Sequence, residues 1–475
     1  MVPLSTVEKD GFRAMINTLD PRYVIPSRKY FSQTAIPDLY REHRGKLQAE
    51  VATVPDYSTT ADVWSSRTME PYLSLTIHFI NDDWLLKSYC LQTSYFPNDH
   101  TGELLAAGLL EALNSWGLAE QRQVAITMDK TGVKDERIQR AVGVCKKIVS
   151  AFSYSWKKRR DLGIAQDELG LPKHMLTTET PTRWGTCQKM IQRVLEQERA
   201  ISQVLKAERK LRHLVLSWQD VDVLEAVNKV LSPLQDFTDA LSREHYVSVS
   251  YLKPVLHLFN TSILAEEEND TQLTEDVKKN ILAYLNEKYS DPALDDLMDV
   301  TSLLDPRFRT TYIKNEKVEH IISRAEEKIK LLKDQHEAST GMSALSTASG
   351  AAAEPVPPPE EKRKKSFSSF FKKQRMGSMG SSSVRLSDEE SIKMELRTYL
   401  QTTEVDSDAD PLEWWKCHQA NFPRVAKLAR RYLCIPATSS PSERAYSTGG
   451  NIVTCHRAVL KPDAVDRLVF LAQNL

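Results

Sequence analysis

With 475 residues, 41% of them hydrophobic, the chain is long enough for two or three packed units. Its 63 basic and 64 acidic residues nearly cancel, so overall charge gives no argument for a nucleic-acid partner, and any such contact must come from local patches. Six scattered cysteines (90, 145, 187, 417, 434, 455) without a Cys-x-x-Cys pair speak against a disulfide framework and for a reducing compartment. No apolar run approaches the ~20 residues of a membrane span, and the N-terminus lacks an apolar signal-peptide core. The expected setting is cytosol or nucleus, with no membrane partner.

Residues 1–50 read as a helical lead-in of short amphipathic pieces, punctuated at Pro21-Arg-Tyr-Val-Ile-Pro26. Three β-rich runs come next, Tyr57–Trp64, Tyr72–Ile80 and Trp84–Phe96, separated by turn residues. A helix over about 103–115 and a short apolar strand, Val124–Met128, lead to Asp129. Periodicity alone gives a mixed α/β unit over 51–186. Over 187–335 the pattern becomes helical: Met190, Ile191, Val194 and Leu195 share one face, and further helices run through Val223–Leu231 and Val277–Leu285. Residues 336–388 hold Ala/Ser/Gly runs, Pro355 to Pro359 and the basic cluster Lys362, Arg363, Lys364, Lys365. Such a segment cannot bury a core and reads as a disordered linker. Its basic cluster fits a nuclear import signal or an ordinary solvated charge run.

In the last block, 389–475, Val425, Leu428, Ala429, Tyr432 and Leu433 form one helical stripe, and Val465, Leu468, Val469 and Ala472 form another. Between them a helix start is predicted at Pro441, with Ser440 as N-cap and Glu443 as its capping-box partner. Cys417, His418, Cys434, Cys455 and His456 match no compact zinc module, so structural thiols and no zinc site are expected. No phosphate-binding glycine loop or nucleophile elbow is present.

The wording of this block carries further information. Trp414-Trp415, Phe422-Pro423, Leu433-Cys-Ile-Pro-Ala-Thr438, Ser439-Ser-Pro-Ser-Glu-Arg444, Gly450-Asn-Ile-Val453 and Leu460-Lys-Pro-Asp463 occur in a fixed order. Together they resemble the C-terminal dimerisation region of the hAT-superfamily DNA transposases and of their domesticated BED-type zinc-finger relatives. The resemblance implies an α/β fold: an RNase H-like mixed sheet interrupted by a large all-helical insertion, with a helical C-terminal dimerisation region that completes the core. It also implies three carboxylates for a pair of Mg²⁺ or Mn²⁺ ions about 4 Å apart. These would be Asp62, within Thr59-Thr-Ala-Asp-Val-Trp64, then Asp129 and Glu443. Pro181-Thr-Arg-Trp184 matches the family's Arg-Trp word, where Arg183 and Trp184 face DNA and the Trp stacks on an unpaired base; a core anchor is the equal alternative for Trp184.

The departures are informative too. Asp129-Lys-Thr-Gly-Val133 stands where the family reads Asp-Asn-Ala-x-Asn, putting Lys130 beside a metal ligand. Ala141–Val149 runs across the place of a Cys-x-x-His word and a strand-helix piece. The BED finger, which precedes this segment in relatives, is not found in these residues. The expectation is therefore a domesticated, non-catalytic nuclear protein without a metal cofactor. It would form homodimers through the apolar face of Trp414, Trp415, Leu428, Tyr432, Leu468 and Leu471, and associate with DNA or chromatin as a transcription regulator. The alternatives are an active cut-and-paste transposase using Mg²⁺ or Mn²⁺, and a protein-interaction scaffold that does not touch DNA.

Overall fold

The computed structural model describes residues 3–66, 69–99, 101–127, 136–180, 184–242, 246–345, 387–403, 405–453 and 460–475, with the side chains of 136, 137, 184 and 336–345 outside that description. The lead-in carries helices α1 (Asp10–Leu19) and α2 (Ile36–Thr53). Strands β1 (Tyr57–Ser65), β2 (Pro71–Ile80) and β3 (Leu86–Tyr95), helix α3 (Gly102–Ser115) and strand β4 (Gln123–Thr127) come in the predicted order. The sheet order is β3-β2-β1-β4, with β1 to β3 antiparallel and β4 parallel to β1. The parallel return needs a crossover, and α3 supplies it.

Side-chain alternation makes the two faces of this sheet chemically different. On one face Ala61 pairs with Leu75, Val63 with Leu73 and Thr59 with Ile77. That face is buried against Leu47 and Val51 of α2 and Leu109 and Leu113 of α3. On the other, Ser58 pairs with His78, Thr60 with Thr76 and Asp62 with Ser74. A buried hydroxyl ladder of this kind needs a partner able to hydrogen-bond, and the C-terminal helices provide it.

Trp84, expected to open the third strand, sits instead in the β2–β3 turn at φ 61° and only 2% exposed. A bulky residue in the left-handed region costs of order 1–2 kcal/mol. Burial offsets that cost: the ring stacks on Trp415 at 6.0 Å, and the Arg430 guanidinium lies 4.9 Å from its centre.

The helical region starts before residue 187. Helices α4 (Glu136–Ser153) and α5 (Trp156–Glu168) share a core with α6 (Trp184–Glu196), α7 (Glu198–Ala207) and α8 (Trp218–Leu241) through Ile148, Phe152 and Leu162 against Met190, Ile191, Leu205 and Leu224. By packing, α4 and α5 thus join the helices that follow residue 187. Helices α9 (Leu252–Leu258), α10 (Gln272–Lys288) and α11 (Pro292–Leu304) continue the helical region. Helix α12 (Asn315–Leu345) runs ten residues past the predicted boundary at 335. Most of the expected linker, including Lys362 to Lys365, lies outside the described residues.

The chain resumes with α13 (Asp388–Leu400), α14 (Pro411–His418), α15 (Pro423–Leu433), α16 (Ser440–Ile452) and α17 (Pro462–Asn474). These helices do not form a separate layer. Helices α13 to α15 share a core with α11, α12 and Trp84, while α16 and α17 pack on Trp64, Tyr72 and Cys90 of the sheet. Helix α17 also covers edge strand β3. Where a bulge breaks the β2–β3 register, Asn474 accepts the Cys90 N–H at 3.0 Å and donates to the Cys90 carbonyl at 2.8 Å; Asp466 accepts the Thr93 N–H at 2.7 Å. Backbone groups that would otherwise recruit another strand are satisfied within the chain.

Candidate functional site

Helix α16 lies across the hydroxyl face of β1 and β2, and one glycine sets how closely. A Cβ on Gly449 would stand 2.4 and 2.8 Å from two ring carbons of Trp64, so only glycine allows this approach. Trp64 is held in turn between Tyr72, stacked at 4.7 Å, and Tyr446, edge-on at 5.5 Å.

Beneath the helix, Ser442 is fully buried and its hydroxyl donates to Thr60 Oγ1 at 2.7 Å; Thr60 Oγ1 lies 3.1 Å from His78 Nε2. With the imidazole proton on Nδ1, the donors run Ser442 to Thr60 to His78. Ser74 joins the two elements that carry the expected acids. Its hydroxyl lies 3.2 Å from the Asp62 carbonyl and 3.4 Å from that of Ser442, next to Glu443. At the other end Ser58 donates to the Cys434 carbonyl at 2.8 Å, and Thr127 to that of Pro436 at 3.0 Å.

Asp62 and Glu443 are thus brought to facing elements joined through Ser74. Thr127, the last described residue of β4, pairs with Thr60, and Asp129 lies outside the described residues. Two of the three expected metal-binding carboxylates can therefore be located; a divalent ion there would take oxygen donors from Asp62 and Glu443 and need at least one more. Among the described residues, no group of three His, Cys, Asp or Glu side chains could hold a metal ion.

The predicted capping box is not formed. The N-cap is Ser439, whose ψ of 0° is not the extended backbone that a capping side chain uses. Its hydroxyl donates to Glu443 Oε1 at 3.1 Å, while Ser440 turns away to the Ser242 hydroxyl at 2.9 Å. Pro441 in the first turn is as predicted.

Complete burial drives the His78 pKa down to about 3, with the Arg444 charge acting in the same direction. An unfolded histidine titrates near 6.5. Between pH 6.5 and 3 the unfolded chain therefore takes up a proton that the folded chain refuses, and stability falls with pH. From pH 7.5 to 5 the expected loss is about 2 kcal/mol. Urea melts at the two pH values measure it, and His78→Gln should remove most of the difference. An equal pH dependence in that variant would assign the loss elsewhere.

The apolar face expected to dimerise lies mostly inside one chain. Trp415 and Leu428 are fully buried, and Tyr432 and Leu471 nearly so. Trp415 packs on Trp84 and Tyr399, and Leu471 on the far side of the sheet. Trp414 is half-buried and stacks on His418 at 4.0 Å, while Leu468 is half-buried against the Trp64 cluster. A surface already covered within one chain is not available to cover a second. The expectation treated these residues as an exterior stripe because helical spacing does not reveal what covers it.

Arg183 and the side chain of Trp184 lie outside the described residues; the backbone shows Trp184 opening α6. Cys434 is a buried thiol donating to the Arg431 carbonyl at 3.2 Å, with burial raising its pKa to about 12; Cys417 is exposed. Cys455 and His456 lie outside the described residues.

One constellation escaped the sequence reading. Asp305 and Arg307, both side chains fully buried, form a two-pronged ion pair at 2.6 and 2.9 Å. Arg307 also donates to the Tyr246 and Tyr251 hydroxyls at 2.6 and 2.7 Å, and Ser250 donates to Asp305 at 2.6 Å. Next to it, Arg309 donates to the Thr403 carbonyl at 2.8 Å. The available signal was two charged residues interrupting the apolar run Leu303-Leu-Asp-Pro-Arg-Phe308.

A mixed sheet of this order, a helical insertion and a C-terminal block that returns the Glu443-bearing helix to the sheet make an α/β fold of the RNase H-like class. The family model for the hAT family C-terminal dimerisation region matches residues 395–475, and that for the ZBED1 RNase-like domain matches 60–147. Zinc finger BED domain-containing protein 4 of Homo sapiens is 24% identical over all of this chain and 42% of its own length. A Zea mays protein named for the AC transposase is 21% identical over 98% of the chain and 62% of its own length. The BED domain-containing protein DAYSLEEPER of Arabidopsis thaliana is 19% identical, with 98% and 70% covered. The chain is a hAT-transposase-derived protein related to the BED-type zinc-finger proteins. It spans about half the length of the first two of these relatives.

Proposed function

We propose that this chain acts in the nucleus as a non-catalytic, homodimeric DNA-associated protein that regulates transcription. The observation that carries the non-catalytic reading is helix α4 (Glu136–Ser153), which runs without a break across Ala141–Val149, where the family resemblance calls for a Cys-x-x-His word and a strand-helix piece. Lys130 adds a cation next to Asp129, which disfavours a dication.

Incubation of the full chain with hairpin and duplex DNA in Mg²⁺ or Mn²⁺ tests this. Salt-dependent retention without cleavage is expected. Cleavage abolished by Asp62→Ala and by Glu443→Ala would establish the transposase alternative. No DNA retention at low salt would leave a protein-interaction scaffold.

For self-association, helix α1 offers a stripe that the chain itself covers only in part, with Phe12 and Ile16 half-buried and Met15 and Leu19 exposed. Phe12, Met15, Ile16 and Leu19 share one stripe, no residue of the helix is buried, and Leu19 is 76% exposed. A ten-residue helix is marginal by itself, so its apolar stripe needs cover. The occupant is a second copy. The lead-in is continuous with the matched dimerisation region: Tyr40 of α2 packs edge-on against Phe470 of α17 at 5.1 Å and bonds Asp466 at 3.2 Å. Sedimentation should give a dimer at micromolar concentration, and Met15→Glu with Leu19→Glu a folded monomer. A dimer that persists in that variant would remove α1 from the interface.

A further inference from the structure

The strongest unassigned surface is a cationic, aromatic patch on the insertion, built from two segments distant in sequence. The first is the turn between α4 and α5 with the opening of α5, residues 154–161; the second is the end of α7 with the turn after it, residues 206–212. Lys158 of the first reaches Glu208 of the second at 3.6 Å, so the two lie side by side. Together they carry eight Lys or Arg against two acids, Asp161 and Glu208, in a chain whose formal net charge is −1. Lys157, Arg159, Arg209 and Lys210 are all exposed. Arg160 is paired with Asp161 at 2.8 Å and also stands 5.2 Å from the Trp156 ring centre.

Fold stability accounts for only part of this patch: Arg159 donates to the Ser153 carbonyl at 2.9 Å and Arg212 to that of Lys206 at 2.8 Å. Cations in the first turn of a helix oppose its dipole, each at roughly 0.3–1 kcal/mol. Tyr154 and Trp156 are 89% and 72% exposed, so they bury little apolar surface in this chain. A cation cluster draws a phosphate backbone, and exposed rings among the cations offer stacking platforms for unpaired bases. An acidic peptide would satisfy the cations and leave both rings without a purpose.

We propose that this patch binds single-stranded nucleic acid, holding the backbone on Lys157, Arg159, Arg209 and Lys210 and stacking bases on Tyr154 and Trp156. The proposal rests on the DNA-associated reading above and locates where an unpaired strand is held.

Fluorescence anisotropy of the full chain with a labelled oligo(dT) 20-mer, a duplex of equal length and polyglutamate tests it. The 20-mer should bind more tightly than polyglutamate. Tyr154→Ala with Trp156→Ala should weaken the 20-mer at least tenfold and the duplex far less. Lys157→Glu with Arg159→Glu should weaken both and flatten the salt dependence. Circular dichroism melts matching the parent protein confirm that the variants fold. Unchanged 20-mer binding in both folded variants would overturn the patch while leaving the DNA-associated reading intact. A parent protein that binds neither nucleic acid would overturn both, and preference for polyglutamate would make this an acidic-protein surface.

Discussion

Arg307→Ala is expected to lower the stability of the fold by about 3–5 kcal/mol, the usual cost of leaving one partner of a buried ion pair unpaired. Asp305 would lose its two-pronged partner at a site where both side chains are fully buried. The Tyr246 and Tyr251 hydroxyls would lose their shared donor, and three rings now within 5.3 Å of the guanidinium would face a void. The effect should extend beyond the insertion. Arg307 also reaches the Ala409 carbonyl at 3.4 Å, and Tyr251 that of Ser407 at 3.3 Å, so the pair fastens the insertion to the loop before α14. Urea denaturation measures the loss. Asp305→Leu with Arg307→Met, which removes both charges and keeps volume, should recover much of it. A loss below about 1 kcal/mol for Arg307→Ala would mean that the site relaxes or admits water.

Trp415→Ala should cost a similar ~3–5 kcal/mol, for a different reason. The side chain is fully buried, stacked on Tyr399 at 5.0 Å and on Trp84 at 6.0 Å, and its indole N–H donates to the Leu304 carbonyl at 3.0 Å. Its removal would leave a cavity where α11, α13 and the β2–β3 turn meet and orphan a buried carbonyl. The variant also separates interior from interface. An interior residue lowers the melting temperature equally at low and high protein concentration, whereas an interface residue yields a folded monomer whose own melting is unchanged. Melts at two concentrations, with light scattering on the native protein, decide between them, and the second outcome would restore Trp415 to the dimer face.

The four strands and the crossover helix were legible because each runs at its own period between clear turn residues. The stripes on α15 and α17 were legible for the same reason. Trp84 was misplaced in a strand because propensity cannot weigh a strained turn against burial on Trp415, a ring far away in sequence. That α4 and α5 share a core with α6 to α8 across residue 187 was not legible, since periodicity identifies helices and says nothing of which helices pack together. The Ser440 capping box failed because Ser242, almost two hundred residues earlier, competes for the hydroxyl. The buried Asp305–Arg307 pair was passed over because charge normally signals exposure.

The sequence by itself determined the element types and carried the resemblance written in the Trp414–Asp463 words, and that resemblance, not spacing, nominated Asp62 and Glu443 as candidate acids. Element types and wording depend on local spacing and on residue order, which a linear chain carries in full. Only the tertiary structure decided that the stripe of Trp415, Leu428, Tyr432 and Leu471 is buried within the chain, that Ser442, Thr60 and His78 lock α16 onto the sheet, and that two basic segments some fifty residues apart form one surface. Burial and proximity between distant segments are properties of the packed state, set by the close approach of surfaces such as Gly449 on Trp64.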